Sequence, residues 1–198
     1  MLHLISPRAV AASFEYERDA AGNPLSIQRE DGYTVYYEYD PNNQLTAETH
    51  ADGGGEVYAW EWDYDGAGNR TQQTFNGEVT YYSYNAANQL TEETTGGQTT
   101  YYDYDGSGNT TAKQEPSGTT YYHWDYENLL TQIDLPDGSH NYFAYDADGK
   151  RVEKRDSEGY TRFIYQGPDM LRLQQERDEN GDTKAQHTMG NGLEAMRR

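Results

Sequence analysis

The histidines and cysteines of a sequence are its first candidates for catalysis or metal binding. Five histidines, His3, His50, His123, His140 and His187, are scattered over the 198 residues, and no second histidine lies at metal-ligand spacing from any of them. There is no HExxH, GxSxG or P-loop motif, and the absence of cysteine excludes thiol nucleophiles and thiolate metal sites. The sequence therefore predicts a protein that is not an enzyme and that needs no cofactor or metal.

Paired carboxylates are the second candidate, because Asp63/Asp65 and Asp103/Asp105 recur with the same spacing. Acid–base chemistry of the glycosidase type needs one pair whose pKa values diverge in one cleft, not a repeated pair. The same segments offer oxygen ligands around glycines, but they lack the distant bidentate glutamate of a calcium loop of the EF-hand type. Repetition favours architecture, in which Asp and Asn close turns through their own hydrogen bonds.

Aromatic side chains are the third candidate, since the chain holds 20 Tyr and 3 Trp. In a carbohydrate-binding interpretation, Trp60, Trp62 and Trp124 stack on sugar rings while Asp and Asn bind the hydroxyl groups. Tyr58, Trp60, Trp62 and Tyr64 fall on one face of one strand, however, so they equally suit packing against neighbouring strands. Both interpretations remain open from the sequence.

Charge narrows the range of partners. The net charge is -19, and because ten of the 15 basic residues lie from Lys150 onward, residues 1–149 carry almost all of the negative charge. Such a surface repels nucleic acid and anionic membranes. No apolar stretch has the length of a membrane span or of a signal peptide. Cationic partners, neutral sugars or solvent are the classes left for this surface.

A repeat of about 20 residues organises the chain, and one residue before each turn serves as its anchor. The anchors are Arg18, Tyr39, Tyr64, Tyr84, Tyr104, Trp124, Tyr145 and Tyr165, and a ninth, imperfect turn follows Arg177. Twenty residues accommodate two strands of about six residues and two short turns. Each repeat is therefore predicted to be one β-hairpin.

The two-residue period of a strand then divides the side chains between two faces. Each anchor shares its face with the residue two positions before it, as in Trp62/Tyr64 and Phe143/Tyr145, which predicts a packed aromatic face. The intervening residues are mixed and predict a face that tolerates water. Within the turns, Gly22, Gly68, Gly108 and Gly149 alternate with Asn43, Asn88, Asn128 and Asp169, residue types that suit a positive φ, so the full unit is two repeats.

The predicted fold class is all-β: a curved antiparallel sheet of about eight tandem hairpins. About 16 strands at ~4.8 Å spacing make a ribbon ~75 Å wide, and sheet twist must curl a ribbon of that width. We expect residues 1–13 to be a lead-in, residues 14–183 the hairpin strip, and residues 184–198 a tail.

The turns resemble those of the YD-repeat family, also called RHS repeats, which is named for Tyr-Asp followed by a Gly-Asn or Gly-Arg turn. The residues that carry the resemblance are Tyr39, Asp40, Tyr64, Asp65, Gly68, Asn69, Tyr84, Asn85, Tyr104, Asp105, Gly108, Asn109, Trp124, Asp125, Tyr145, Asp146 and Gly149. The resemblance implies a spiral β-strip that forms a hollow shell, and in polymorphic-toxin members that shell encloses a toxin released by aspartyl self-cleavage. The core segment of those members is not recognisable before Arg198, so cleavage and cargo are not carried over.

The sequence thus predicts a structural wall segment whose partners are the rest of a larger shell and an enclosed or displayed polypeptide such as a toxin. A cell-surface glycan-binding module is the alternative. The resemblance implies a secreted or cell-surface location and a tail that leads towards a core region. Unpaired sheet edges predict some self-association.

Overall fold

The computed structural model describes residues 14–166, 172–189 and 193–197, and every helix or strand assigned among them is a β-strand. The chain divides into two compact units, Met1–Thr99 and Thr100–Arg198. The predicted lead-in, residues 1–13, and the turn residue Asp169 lie outside the described residues. The all-β class is confirmed.

The first unit is a meander of antiparallel strands in which each strand pairs with the next along the chain. Its strands are β1 (Phe14–Arg18), β2 (Pro24–Arg29), β3 (Thr34–Tyr39), β4 (Leu45–Asp52), β5 (Gly55–Tyr64), β6 (Arg70–Phe75), β7 (Glu78–Tyr84) and β8 (Leu90–Thr95).

The second unit follows the same rule, and its first strand begins at Gln98, two residues before the boundary between the units. Its strands are β9 (Gln98–Tyr104), β10 (Thr110–Glu115), β11 (Gly118–Trp124), β12 (Leu130–Asp134), β13 (His140–Tyr145), β14 (Arg151–Asp156), β15 (Gly159–Gln166), β16 (Arg172–Arg177), β17 (Thr183–Met189) and β18 (Leu193–Arg197). The segment predicted as a tail, residues 184–198, therefore contains most of β17 and all of β18.

The anchors end strands, as the hairpin repeat predicted. Seven of the eight are the last residue of their strand, and Tyr165 is the last but one in β15. The turns that follow the anchors are called here the Tyr-Asp turns. Within each unit they lie at one end of the strands, and the connecting turns lie at the opposite end. The turn after Arg177 lies at the end of the connecting turns, because one strand, β16, separates it from the preceding Tyr-Asp turn.

Burial confirms the two predicted faces. From β3 to β15 the anchor-face residues are half-buried, whereas most residues one strand position away are exposed, as shown by Tyr81 at 56% and Tyr121 at 51%; in β1, Tyr16 and the anchor Arg18 are exposed. Among the described residues no large side chain is fully buried, and the buried apolar residues are only Val35, Ala112 and Ala185. Half-buried aromatic rings, not aliphatic side chains, therefore supply most of the packing.

In the hairpins closed by Tyr-Asp turns, the strand after the turn has one extra residue, a β-bulge, opposite the step that leads into the anchor. The sequence did not predict this bulge. In β5–β6, Asp63 pairs with Gln72 and Tyr64 with Arg70, which leaves Thr71 without a partner. The unpaired position is threonine in five hairpins, at Thr46, Thr71, Thr91, Thr111 and Thr131. The Thr91 and Thr131 hydroxyls donate to the carbonyls of Ser83 and His123, at 3.1 and 3.0 Å. In these two hairpins the threonine hydroxyl thus donates to a backbone carbonyl of the facing strand at the bulge.

In the second unit, Gly118 and Pro136 approach each other closely at the end of the strands opposite the Tyr-Asp turns. Gly118 has a φ of +141°, and a Cβ atom added there would lie 2.6 Å from Cβ of Pro136. Only glycine fits this position, because a side chain would meet both an unfavourable backbone conformation and a proline ring.

Candidate functional site

Each described Tyr-Asp turn is a five-residue loop closed by one side chain, a carboxylate in six turns and the carboxamide of Asn85 in the seventh. In the turn at 65–69, Oδ1 of Asp65 accepts hydrogen bonds from the backbone N–H groups of Ala67 and Asn69, both at 2.9 Å. Nδ2 of Asn69 donates to Oδ2 of the same carboxylate at 2.9 Å. That side-chain hydrogen bond is the largest cause of the lowered pKa of Asp65, followed by the backbone hydrogen bond from Asn69. The same set of bonds occurs around Asp19 and Asp105.

Asparagine side chains join successive Tyr-Asp turns within each unit. Nδ2 of the asparagine that ends one turn donates to Oδ1 of an asparagine in the next, in the pairs Asn23–Asn43, Asn69–Asn88 and Asn109–Asn128, at 2.9, 2.9 and 2.8 Å. The three acceptor residues have positive φ angles of 61°, 59° and 61°. The predicted two-repeat unit therefore has a physical basis, because a turn of the Gly-Asn kind donates and a turn of the Asn kind accepts.

The polar tips of five anchors join their own hairpins to the hairpin before. Each tip donates to the backbone carbonyl of the first residue of a preceding strand: Tyr64 to Leu45 (2.8 Å), Tyr84 to Arg70 (2.9 Å), Trp124 to Thr110 (2.7 Å), Tyr145 to Leu130 (2.8 Å) and Tyr165 to Arg151 (2.8 Å). Burial raises the pKa of Tyr64, Tyr84 and Tyr145, so these phenols stay protonated donors. The indole N–H of Trp124 takes the place of the phenol in its repeat.

The tryptophans predicted as sugar platforms take part in intramolecular contacts. The indole N–H of Trp124 donates to the Thr110 carbonyl. The Trp60 ring stacks on Phe75 with centroids 4.1 Å apart and lies 6.1 Å from the Trp62 ring. Nε1 of Trp62 lies 3.4 Å from Oε1 of Gln73. These contacts favour packing, and the binding of sugars by Trp60, Trp62 and Trp124 stays a prediction.

Arginines at the first strand position after a Tyr-Asp turn pack over aromatic rings. The guanidinium carbon of Arg70 lies 4.8 Å from the centroid of Tyr82, and that of Arg151 lies 5.0 Å from Phe163 and 5.6 Å from Phe143. From the sequence, these positions could be identified only as polar. Which ring lies across from each arginine depends on the strand register, and the bulges shift that register.

The described histidines hydrogen-bond to carboxylates. Asp134 accepts from Nε2 of His123 and Nδ1 of His140 through different oxygens, at 2.7 and 2.6 Å. His50 pairs with Glu48 and stacks on Tyr58 with centroids 4.1 Å apart. His3 lies outside the described residues, and the side chain of His187 is not described. Over the described ranges, no group of three or more His, Asp or Glu side chains is placed to hold a metal ion.

A search for membrane-crossing helices over the same described ranges finds none of the necessary length and apolarity.

Comparison with known proteins identifies one family model, described as Teneurin YD-shell, that matches residues 9–176. No curated protein sequence matches the chain.

Solved structures with the same architecture include TcdB2-TccC3 without its hypervariable C-terminal region, with 17% identity, a TM-score of 0.63, and coverage of 78% of this chain and 10% of that chain. TcdB2-TccC3-TEV has 13% identity, a TM-score of 0.50, and coverage of 89% and 15%. A Photorhabdus luminescens Tc holotoxin pore with a TccC3 mutation has 13% identity, a TM-score of 0.49, and coverage of 92% and 16%. At these low identities the first two structures show a shared fold and nothing further, and this chain spans only a small part of the structures that it matches.

Proposed function

Because this chain belongs to the Teneurin YD-shell family, we propose that its hairpins form part of the wall of a β-shell that encloses or displays another polypeptide, such as a toxin. The family assigned from the Tyr-Asp turns is the one that the family model matches. Enclosure is the proposed step, and the rest of the shell and the enclosed polypeptide are the proposed partners. A secreted or cell-surface location belongs to the same proposal.

The observation that supports a wall is that the repeated polar groups are used inside the sheet. Asp65 and Asp105 close their own turns. The anchors Tyr84 and Tyr145 donate to the backbone of the preceding strand. Groups committed in this way stabilise hairpins and neighbouring turns, and they are not directed at a substrate. A non-enzymatic role fits this arrangement.

Protease protection tests enclosure in the natural polypeptide that contains this strip. A short protease site is inserted into the segment proposed as cargo, and the same site is inserted in an exposed turn of the strip as the matched control. An enclosed segment is cleaved far more slowly than the control site, and the difference disappears in denaturant. Equal cleavage of both sites in the native protein contradicts enclosure.

A glycan array on the same material tests the alternative interpretation. Binding that is lost in a Trp60→Ala or Trp62→Ala variant with unchanged circular dichroism would favour the carbohydrate-binding module. Trp124→Ala is unsuitable for this purpose, since it also removes the hydrogen bond to Thr110. Absence of glycan binding, together with protease protection, supports the wall.

A further inference from the structure

Three exposed or half-buried arginines lie together in the second unit, on the face opposite the anchors. This arginine patch consists of Arg155 on β14, Arg162 on β15 and Arg177 on β16. The register pairs Arg155 with Tyr142, an exposed-face residue, and pairs Arg162 with both Glu153 and Arg177. Arg155 lies two residues along its strand from Glu153, the partner of Arg162, so a strand spacing of ~4.8 Å and a rise of ~3.4 Å per residue place the outer two arginines about 12 Å apart.

The cations of the patch lack anionic partners among the described residues. None of the three forms an ion pair there. Among the described residues, the Arg177 guanidinium donates to Oε1 of Gln175, from Nε at 3.2 Å and from Nη2 at 2.9 Å. Arg162 and Arg177 stand directly opposite each other, and like charges in that position destabilise a sheet. An external anion between them would remove this repulsion.

The carboxylates of Asp146, Glu153, Asp178 and Glu179 lie beside the patch and keep their negative charge, although none of them forms an ion pair with the three arginines. Glu153 forms a side-chain hydrogen bond with Tyr160, which is the largest cause of the raised pKa of that phenol. Oδ1 of Asp178 accepts from the backbone N–H groups of Asn180 and Asp182 and so closes its own turn. Glu179 also lines the cavity next to the patch. These groups do not form ion pairs with the arginines.

The surface around the patch is concave and partly aromatic. A cavity of about 510 Å³ is lined by Arg162, Arg177 and Tyr160, and a second cavity of about 140 Å³ is lined by Arg155, Tyr142 and Tyr160. Tyr160 belongs to both, and the Arg155 guanidinium carbon lies 6.0 Å from its ring centroid. Rigid rings beside unpaired guanidinium groups suit a polypeptide segment that carries carboxylates.

We propose that the arginine patch docks an extended, acidic polypeptide segment, whose carboxylates pair with Arg162 and Arg177 while its backbone lies over Tyr142 and Tyr160. The inference rests on the proposed function in so far as the segment belongs to the polypeptide that the wall faces.

Fluorescence anisotropy with a labelled peptide of alternating Glu and Ser tests the patch on the full chain at physiological ionic strength. The double variant R162E/R177E is expected to bind the peptide at least about tenfold more weakly than the unaltered chain. R18E/R29E is the matched control, since it makes the same charge change at two exposed arginines of the first unit, and its affinity should change by less than about twofold. If R162E/R177E loses its β-sheet circular dichroism, R162Q/R177Q replaces it.

Equal affinity of the patch variant and the unaltered chain would overturn the proposal. So would an equal loss in the control variant, which would show that only net charge matters. Displacement of the peptide by inorganic phosphate at concentrations as low as the peptide's own would identify a small-oxyanion site instead. A negative result in the peptide-binding experiment does not change the result expected for protease protection, so the two proposals can be refuted independently.

Discussion

Removing one anchor hydroxyl tests whether the anchors stabilise the sheet by donating to the preceding strand. Tyr145→Phe deletes only the hydroxyl that lies 2.8 Å from the Leu130 carbonyl. A hydrogen bond of this kind contributes about 1 kcal/mol net, and a partly buried carbonyl left without its donor costs about 1–3 kcal/mol. Because the ring is kept, no cavity forms, and we expect a loss of about 1–2 kcal/mol in the free energy of unfolding.

Thermal and urea unfolding, followed by circular dichroism, measure this loss. If the second unit melts by itself, each kcal/mol lowers Tm by about 4–8 °C, and if the whole chain melts together the shift is about 2–4 °C. Tyr121→Phe is the matched control, since the same atom is removed from a residue that is 51% exposed. We expect the control to change stability by less than about 0.5 kcal/mol.

The anchor argument is refuted if the two tyrosine variants lose equal stability, or if Tyr145→Phe loses none. Trp124 provides a second check on the same reasoning. Trp124→Tyr restores the usual anchor and keeps a donor, whereas Trp124→Phe removes the 2.7 Å hydrogen bond to Thr110. The phenylalanine variant should therefore be the less stable of the two.

Three further expectations follow from the turns. Gly118→Ala should lower the free energy of unfolding by about 1–3 kcal/mol through backbone strain and contact with the neighbouring proline ring, whereas Gly106→Ala, with nothing within 4 Å, should be close to neutral in the same melts. Asn128→Ala should cost about 1 kcal/mol more than Asn128→Gly, because both lose the bridge between turns but only alanine is strained at a φ of 61°. The pKa values of Asp65 and Asp105 are lowered in the folded state. Their contribution to the free energy of unfolding is therefore present above the unfolded-state pKa of about 4 and is lost as pH falls below it. D65N/D105N should show a shallower acid unfolding curve by circular dichroism, and an unchanged curve would contradict this.

The repeat made much of this fold predictable. The spacing of Tyr64, Tyr84 and Tyr145 located the ends of strands, and the strand period separated half-buried anchors from exposed tyrosines. Turn chemistry was also local, because Asp65 and its closing bonds lie within five residues.

Features that depend on the pairing of strands were not predictable. Thr71 looks like an ordinary strand residue until the register shows that it has no partner. The acceptor of Tyr145 lies 15 residues away and is a backbone carbonyl, which no side-chain pattern reveals. The contact between Gly118 and Pro136 likewise joins two turns whose separation is fixed only by the folded sheet.

The anchor bonds have a direction that bears on how the protein is synthesised. In each described case the donor comes later in the chain than its acceptor, as with Tyr64 and Leu45 or Tyr165 and Arg151. A ribosome releases the amino-terminal end first, so each hairpin emerges after the carbonyl that it needs has already been made. Folding can thus advance one hairpin at a time during translation, with every completed hairpin serving as the template for the next.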